Sequence, residues 1–133
     1  MTIPPVSDSA IRVRYAETDT MGVVYYANYL VWFEVGRTEW LRDRGWTYRE
    51  METNGVKLPV IGAQCEYLRP ATYDEALVIR TTGIIHSAVR VEFRYEVVKE
   101  DGTIAARGST MHAAVNDRGR PCRLPPQVRE VFQ

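Results

Sequence analysis

Residues 25–44 are apolar on almost every side over their first half and polar over their second half. The apolar half contains closely spaced aromatic and aliphatic residues: Tyr26, Tyr29, Leu30, Val31, Trp32, Phe33 and Val35. Gly45 follows the stretch, and glycine is the usual left-handed residue at the end of a helix. The sequence therefore predicts one long helix that is buried at its start and reaches solvent at its end.

Most of the remaining chain consists of short segments in which apolar and polar residues alternate, as in half-buried strands. Expected strands cover 10–15, 58–67, 75–86, 89–100 and 103–115, with a short helical turn at 47–54. Asp101-Gly102 predicts a hairpin with a two-residue loop between the last two strands. Consecutive antiparallel strands must bury their shared apolar face, and only the long helix is apolar enough to cover it. The sequence thus predicts an α+β fold, a curved antiparallel five-stranded sheet wrapped around one long central helix.

Length, charge and cysteine content set further limits. A chain of 133 residues is the size of one domain, so we expect residues 1–133 to form a single unit. Its 17 basic and 17 acidic residues leave no net charge, which does not favour general binding to nucleic acid or anionic membranes. Cys65 and Cys122 have neither a disulfide-framework nor a metal-ligand spacing, so both are expected to be reduced. With no signal-peptide pattern and no apolar run near the ~20 residues of a membrane span, we expect a cytoplasmic protein without membrane insertion.

The segment before the long helix holds the residues best suited to chemistry. Asp19 is a carboxylate in a polar loop, and Gly22 lets that loop turn with a positive φ. No Ser, Thr, Asp or Asn stands at the expected cap position near Tyr25, so the first N–H groups of the helix are available to an anion. Capping by Thr20, by Asp19 itself or by water is the alternative, because Asp and Thr commonly cap helices.

The stretch from Tyr15 to Tyr29, YAETDTMGVVYYANY, resembles the signature of the 4-hydroxybenzoyl-CoA thioesterase-like branch of hot-dog fold proteins. That branch includes the Tol–Pal-associated acyl-CoA thioesterases. The similarity continues through 32–34 and 37–39, and the predicted element order fits the hot-dog fold over most of the chain. It implies an enzyme, an acyl-CoA thioesterase that hydrolyses a small acyl- or aroyl-CoA to the free acid and CoA.

The resemblance also implies roles for individual residues. Asp19 takes the position of the catalytic carboxylate, acting as nucleophile or as general base for water. Tyr26 matches the residue whose backbone N–H binds the thioester carbonyl oxygen, with Gly22 and Tyr25 supporting the loop and helix start. Arg90, expected in a turn between strands, is a candidate contact for the phosphates of CoA. Coenzyme A enters as part of the substrate, with no metal or bound cofactor, and a homodimer or homotetramer is implied.

Three other acidic residues compete with Asp19 for the catalytic role. Glu17 is two residues away and points elsewhere if the loop is extended, so we interpret it as structural or solvated. Glu34 and Glu39 lie on the long helix, where some hot-dog thioesterases carry their catalyst. We interpret both as ion-pair partners of arginines at helical spacing, Arg37 or Arg42.

Two rival functions stay open at the level of sequence. An acyl-CoA hydratase or dehydratase of the same fold would pair Asp19 with a histidine, but the only histidines, His86 and His112, follow far along the chain. Their spacing also builds no Ser–His–Asp or metal cluster. A non-catalytic acyl-CoA-binding protein is the second alternative.

Overall fold

The computed structural model describes residues 3–133, and within them one five-stranded antiparallel sheet carries three helices and a 3-10 turn. The strands are β1 (Val6–Arg12), β2 (Val60–Tyr67), β3 (Ala76–Ile85), β4 (Arg90–Lys99) and β5 (Ile104–Ala113). The helices are α1 (Asn28–Asp43), α2 (Tyr48–Thr53) and α3 (Pro126–Glu130), and the 3-10 turn is Tyr15–Glu17. The spatial order of the strands is β1-β3-β4-β5-β2, which places β1 and β2 at the two edges.

Helix α1 packs on one face of the sheet through large aromatic side chains. Phe33 stacks on Tyr95 of β4, with ring centroids 4.2 Å apart and planes nearly parallel. About two turns later, Trp40 packs edge-on against Phe93 of the same strand at 5.3 Å. Every second side chain of β3 and β4 is buried beneath the helix, so the alternation seen in the sequence marks this face. The predicted sheet around a central helix is confirmed.

The position of β1 was predicted wrongly, four residues too far along the chain. β1 pairs with β3 from Val6 opposite Thr82 to Arg12 opposite Ala76. Its two most buried side chains are Ser7 and Ser9, so no apolar alternation marks the true strand.

The ends of α1 have different physical causes. Its predicted start at residue 25 was three residues early, because a turn closed by Asn28 N–H to Tyr25 O (3.0 Å) precedes the helix. Its end agrees with prediction, since Gly45 has a φ of +86°. Trp46 N–H donates to Leu41 O at 3.0 Å, and the Gly45 N–H bonds back into the same last turn, as in a Schellman motif.

The β4–β5 hairpin has a three-residue loop rather than the predicted two. Lys99 N–H donates to Thr103 O at 2.8 Å, which leaves Glu100, Asp101 and Gly102 outside the ladder. Gly102 has a φ of +86°, the left-handed conformation expected of a glycine that returns the chain to a strand.

Candidate active site

Residues 14–27 fold back on themselves as a short antiparallel hairpin. Thr18 pairs with Val24, and Asp19 N–H donates to Val23 O at 2.9 Å. The hairpin holds the loop carboxylate and the start of α1 in one locally bonded unit.

One backbone bond closes this hairpin, and a second attaches it to its surroundings. Tyr25 N–H donates to Glu17 O at 2.8 Å, which closes the open end of the hairpin beside the helix start. Val24 N–H donates to Ala71 O at 2.9 Å, which ties the hairpin to the segment that precedes β3. The hairpin therefore lies at the end of the sheet where β3 begins and β4 ends.

Asp19 is half-exposed at the turn of the hairpin. Its Oδ1 accepts the Met21 N–H at 2.9 Å, while its Oδ2 accepts no hydrogen bond from residues 3–133. Gly22 completes the turn with a φ of +82°, as predicted, and donates its N–H to Asp19 O at 3.0 Å. One carboxylate oxygen is thus oriented by the loop, and the other is available to water or substrate.

The start of α1 is not capped by a side chain. Ala27 is the N-cap residue and makes no capping hydrogen bond, and Asp19 bonds to Met21 rather than to the helix. Within the described part of the chain, the N–H groups of Tyr26 and Ala27 donate to no acceptor. Unpaired N–H groups at the positive end of a helix dipole can bind a developing oxyanion.

An aromatic cluster borders the helix start. Tyr25 and Tyr26 have ring centroids 4.7 Å apart, and Tyr67 of β2 lies edge-on to Tyr26 at 6.4 Å and to Tyr29 at 5.1 Å. The Tyr67 hydroxyl donates to Tyr26 O at 3.0 Å. Tyr67 was not predicted as a site residue, because its contact depends on β2 running beside the start of α1, which no local pattern indicates.

Glu17 is structural, as expected, but buried rather than solvated, with 5% of its surface exposed. Its Oε2 accepts the Trp32 indole N–H at 2.9 Å, and its Oε1 accepts the Arg14 backbone N–H at 2.8 Å. Since both oxygens bind protein donors, Glu17 is not placed to act on a substrate.

The two helix glutamates differ from each other. Glu39 forms the expected ion pair with Arg42 at i,i+3 spacing. Glu34 is exposed and forms no ion pair within residues 3–133. Neither lies on the hairpin that carries Asp19.

The far end of the sheet carries the other candidates from the sequence. Arg90 is the first residue of β4, and the opposite end of that strand, Lys99, donates to Pro70 O at 2.7 Å beside the hairpin. At ~3.3 Å per residue, Arg90 lies roughly 30 Å from Lys99, so one chain does not bring Arg90 to Asp19. His86 and His112 lie toward the same far end, after β3 and near the end of β5.

Three further features of residues 3–133 bear on function. They contain no cluster of three or more His, Cys, Asp or Glu side chains arranged to hold a metal ion. No helix among them has the length and apolar character needed to cross a membrane. Cys65 and Cys122 are both free thiols.

Comparison with known proteins agrees with this geometry. The family model of the thioesterase-like superfamily matches residues 13–132. This chain belongs to that superfamily. YneP of Bacillus subtilis, named as a candidate acyl-CoA thioesterase, is 38% identical to this thioesterase-like protein over 127 residues, which cover 96% of this chain and 90% of YneP. The acyl-CoA thioesterase YbgC of Haemophilus influenzae is 30% identical over 125 residues, covering 92% of this chain and 90% of YbgC.

A solved structure gives the same assignment of fold. A DHNA-CoA thioesterase from Staphylococcus aureus matches this thioesterase-like protein with a TM-score of 0.90 and 35% sequence identity. The match covers 96% of this chain and 88% of the other. The expected hot-dog fold is confirmed, while membership of the Tol–Pal-associated branch stays a prediction.

Proposed function

We propose that this thioesterase-like protein is an acyl-CoA thioesterase in which Asp19 is the catalytic carboxylate. The observation that carries the proposal is the pairing, on one short hairpin, of an unbonded Asp19 oxygen with the unpaired N–H groups of Tyr26 and Ala27. The names of YneP and YbgC, which refer to acyl-CoA thioesters, support it.

The chemical step of the proposed reaction uses these groups and one water molecule. Asp19 takes a proton from water as the water oxygen bonds to the thioester carbon, or attacks that carbon itself to give an anhydride that water then cleaves. In either case the carbonyl oxygen gains negative charge facing the Tyr26 N–H, the C–S bond breaks, and CoA leaves as a thiolate. A placed general base contributes about 10²–10⁴ in rate, and one oxyanion donor about 10²–10³. Coenzyme A enters as part of the substrate.

We propose that a second copy of the chain completes the site. Apolar side chains are exposed at the start of α1 and along the edge strand β2 and its flank, namely Tyr26, Leu30, Val31, Val60, Ile61, Tyr67 and Leu68. Exposed apolar patches and free strand edges are typical of interfaces between subunits. A homodimer, alone or paired into a homotetramer, covers this surface. It is also the arrangement in which an Arg90 can contribute to CoA binding, since one chain keeps Arg90 away from Asp19.

The aromatic cluster indicates the class of acyl group. Tyr25, Tyr26, Tyr29 and Tyr67 are linked by ring contacts beside the helix start, and apolar, aromatic walls suit a small acyl or aroyl group. The DHNA-CoA specificity in the name of the staphylococcal relative supports the aroyl option. A cytoplasmic location, where acyl-CoA thioesters are made and used, is part of the proposal.

The test is CoA release from aliphatic and aromatic acyl-CoA thioesters by wild type, Asp19→Asn and a control, Asp117→Asn. Asparagine keeps an oxygen for the Met21 N–H, so the hairpin should be preserved. We expect Asp19→Asn to lower kcat at least 100-fold, while Asp117→Asn, on an exposed turn, matches wild type. Equal activity in wild type and Asp19→Asn removes Asp19 from its role. Inactivity of wild type on the whole panel contradicts the proposed function.

A further inference from the structure

Glu17 is the only acidic residue with a buried side chain among residues 3–133. A buried carboxylate is costly unless protein groups replace its water. Here the replacement is complete on both oxygens, one bound to the Arg14 backbone N–H at 2.8 Å and one to the Trp32 indole N–H at 2.9 Å. The Arg14 guanidinium adds a cation 3.6 Å from Oε1. Position 17 therefore requires a side chain with two oxygens that each accept a hydrogen bond.

The same residue is bound to α1 through its backbone as well. Glu17 O accepts both the Tyr25 N–H and the Asn28 side-chain amide, each at 2.8 Å. Asn28 is the first residue of α1, and Trp32 lies one turn further along the helix. Glu17 thus contacts the turn before the helix, its first residue and its second turn.

These contacts fix the base of the hairpin that carries Asp19. Glu17 precedes Thr18, which pairs with Val24, and the Asp19 N–H bonds to Val23 O in the next step of the hairpin. Only Thr18 separates Glu17 from Asp19 on one strand of the hairpin. On the other strand, Tyr26 directly follows Tyr25, whose N–H donates to Glu17 O. A change in how Glu17 sits against α1 therefore changes the spacing between Asp19 and the Tyr26 N–H.

We propose that the Glu17 carboxylate is a positioning residue, which sets the spacing between Asp19 and the Tyr26 N–H by clamping the hairpin to Trp32 of α1. The inference rests on the proposed function, since positioning is defined relative to thioester hydrolysis. Displacement of reacting groups by about 1 Å can cost 10²-fold in rate. Substitution of Glu17 should consequently lower kcat more than it weakens the binding of acyl-CoA.

The first variant is Glu17→Gln, which keeps the shape of the side chain but replaces one acceptor oxygen with an NH₂ group. Whichever way the amide is turned, that NH₂ faces an N–H donor from Arg14 or Trp32. We expect kcat to fall 10- to 100-fold, while the Kd of a non-hydrolysable thioether analogue of acyl-CoA changes less than 3-fold. Glu52→Gln, on an exposed position of α2, is the matched control and should behave as wild type.

The second variant, Trp32→Phe, removes the indole donor. It keeps an aromatic ring, so it disturbs packing less than a substitution that removes the ring. Alone it should lower kcat about 3- to 10-fold. Combined with Glu17→Gln it removes the donor that opposes the NH₂ group, so the double variant should be more active than Glu17→Gln. If Glu17 contributed only to stability, these variants would unfold at a lower temperature, but the kcat of the folded protein at 25 °C would not change.

The outcomes separate the two proposals. Wild-type hydrolysis that Asp19→Asn abolishes, together with an unchanged kcat in Glu17→Gln and Trp32→Phe, overturns the positioning role and leaves the proposed function intact. A Glu17→Gln effect confined to analogue Kd, or strictly additive effects in the double variant, also overturns it. Absence of hydrolysis by wild type overturns both proposals.

Discussion

Gly36 of α1 lies so close to Thr81 of β3 that a β-carbon on Gly36 would overlap the Thr81 hydroxyl oxygen and lie 2.9 Å from the Ile79 Cγ2 atom. Both Gly36 and Thr81 are fully buried. At this point α1 can pack against β3 only because position 36 has no side chain. Intrinsic helix propensity alone would favour alanine there by up to ~1 kcal/mol.

We predict that Gly36→Ala lowers the free energy of unfolding by about 1–3 kcal/mol, because overpacking a well-packed core outweighs the gain in propensity. Urea unfolding followed by circular dichroism measures the change. Gly62→Ala is the control, since its new β-carbon would meet nothing closer than Met111 Cβ at 3.8 Å. A Gly36→Ala variant as stable as wild type would show that α1 can shift on the sheet.

Individual residues show which elements of the fold can be predicted from the sequence. Three of the predictions rest on local patterns: the alternation in β3, β4 and β5, the apolar start of α1 and the turn at Gly45. The structure agrees with each within one to three residues. The first strand was predicted at 10–15, four residues late at its start, because the inward side chains of β1 are serines. Local patterns report burial, and they fail where a polar residue is buried.

The candidate site divides in the same way. Asp19 and Gly22 were identified from a contiguous motif, and their placement in a tight turn agrees with it. Glu17 and Tyr67 were not assigned their contacts, because Glu17 meets Trp32 across 15 residues and Tyr67 meets Tyr26 across 41. Contacts of that length depend on how the elements pack, which a single sequence does not display.

Acid should destabilise the protein through His112. The ring is fully buried, and burial lowers its pKa to about 4. Its Nδ1–H donates to Leu58 O at 2.9 Å, because a carbonyl oxygen only accepts, and the Nε2 of the neutral ring accepts a hydrogen bond from the Thr110 hydroxyl at 2.8 Å. The unfolded chain, with an ordinary pKa near 6.5, binds a proton that the native ring excludes. The contribution of His112 to the free energy of unfolding is therefore fully present above about pH 6.5 and is lost as the pH falls toward 4. It amounts to about 3 kcal/mol.

The measurement is urea unfolding between pH 7 and pH 4. His112→Gln, which offers an amide donor and a carbonyl acceptor in place of the ring, should be less stable at pH 7 but should lose less stability on acidification. His86→Gln, at an exposed position where it replaces a ring 2.8 Å from the Glu92 carboxylate, should change the dependence on pH much less than His112→Gln does. Identical slopes for wild type and His112→Gln would assign the acid sensitivity to other groups.

Tyr67 should contribute to catalysis through the helix start. Its hydroxyl donates to Tyr26 O at 3.0 Å and so holds the peptide that follows the proposed oxyanion donor. Because a hydrogen bond of this kind contributes about 0.5–1.5 kcal/mol, Tyr67→Phe should lower kcat roughly 2- to 10-fold. Steady-state hydrolysis of the preferred acyl-CoA measures it. Tyr73→Phe, another exposed tyrosine, is the matched control, and equal losses in both variants would refute a specific role for Tyr67.

The last prediction concerns the assembly. Ile61 on the edge strand β2 is 49% exposed and belongs to the apolar surface that a second copy is proposed to cover. Ile61→Lys would place a charge there, and a charge left unpaired in an interface opposes association. We expect wild type to behave as a dimer or larger in analytical ultracentrifugation and Ile61→Lys to shift toward monomer, with at least a 10-fold loss of activity at low protein concentration. Ile3→Lys, at a more exposed isoleucine away from that surface, should change neither. A monomeric, fully active wild type would show that one chain holds the complete site.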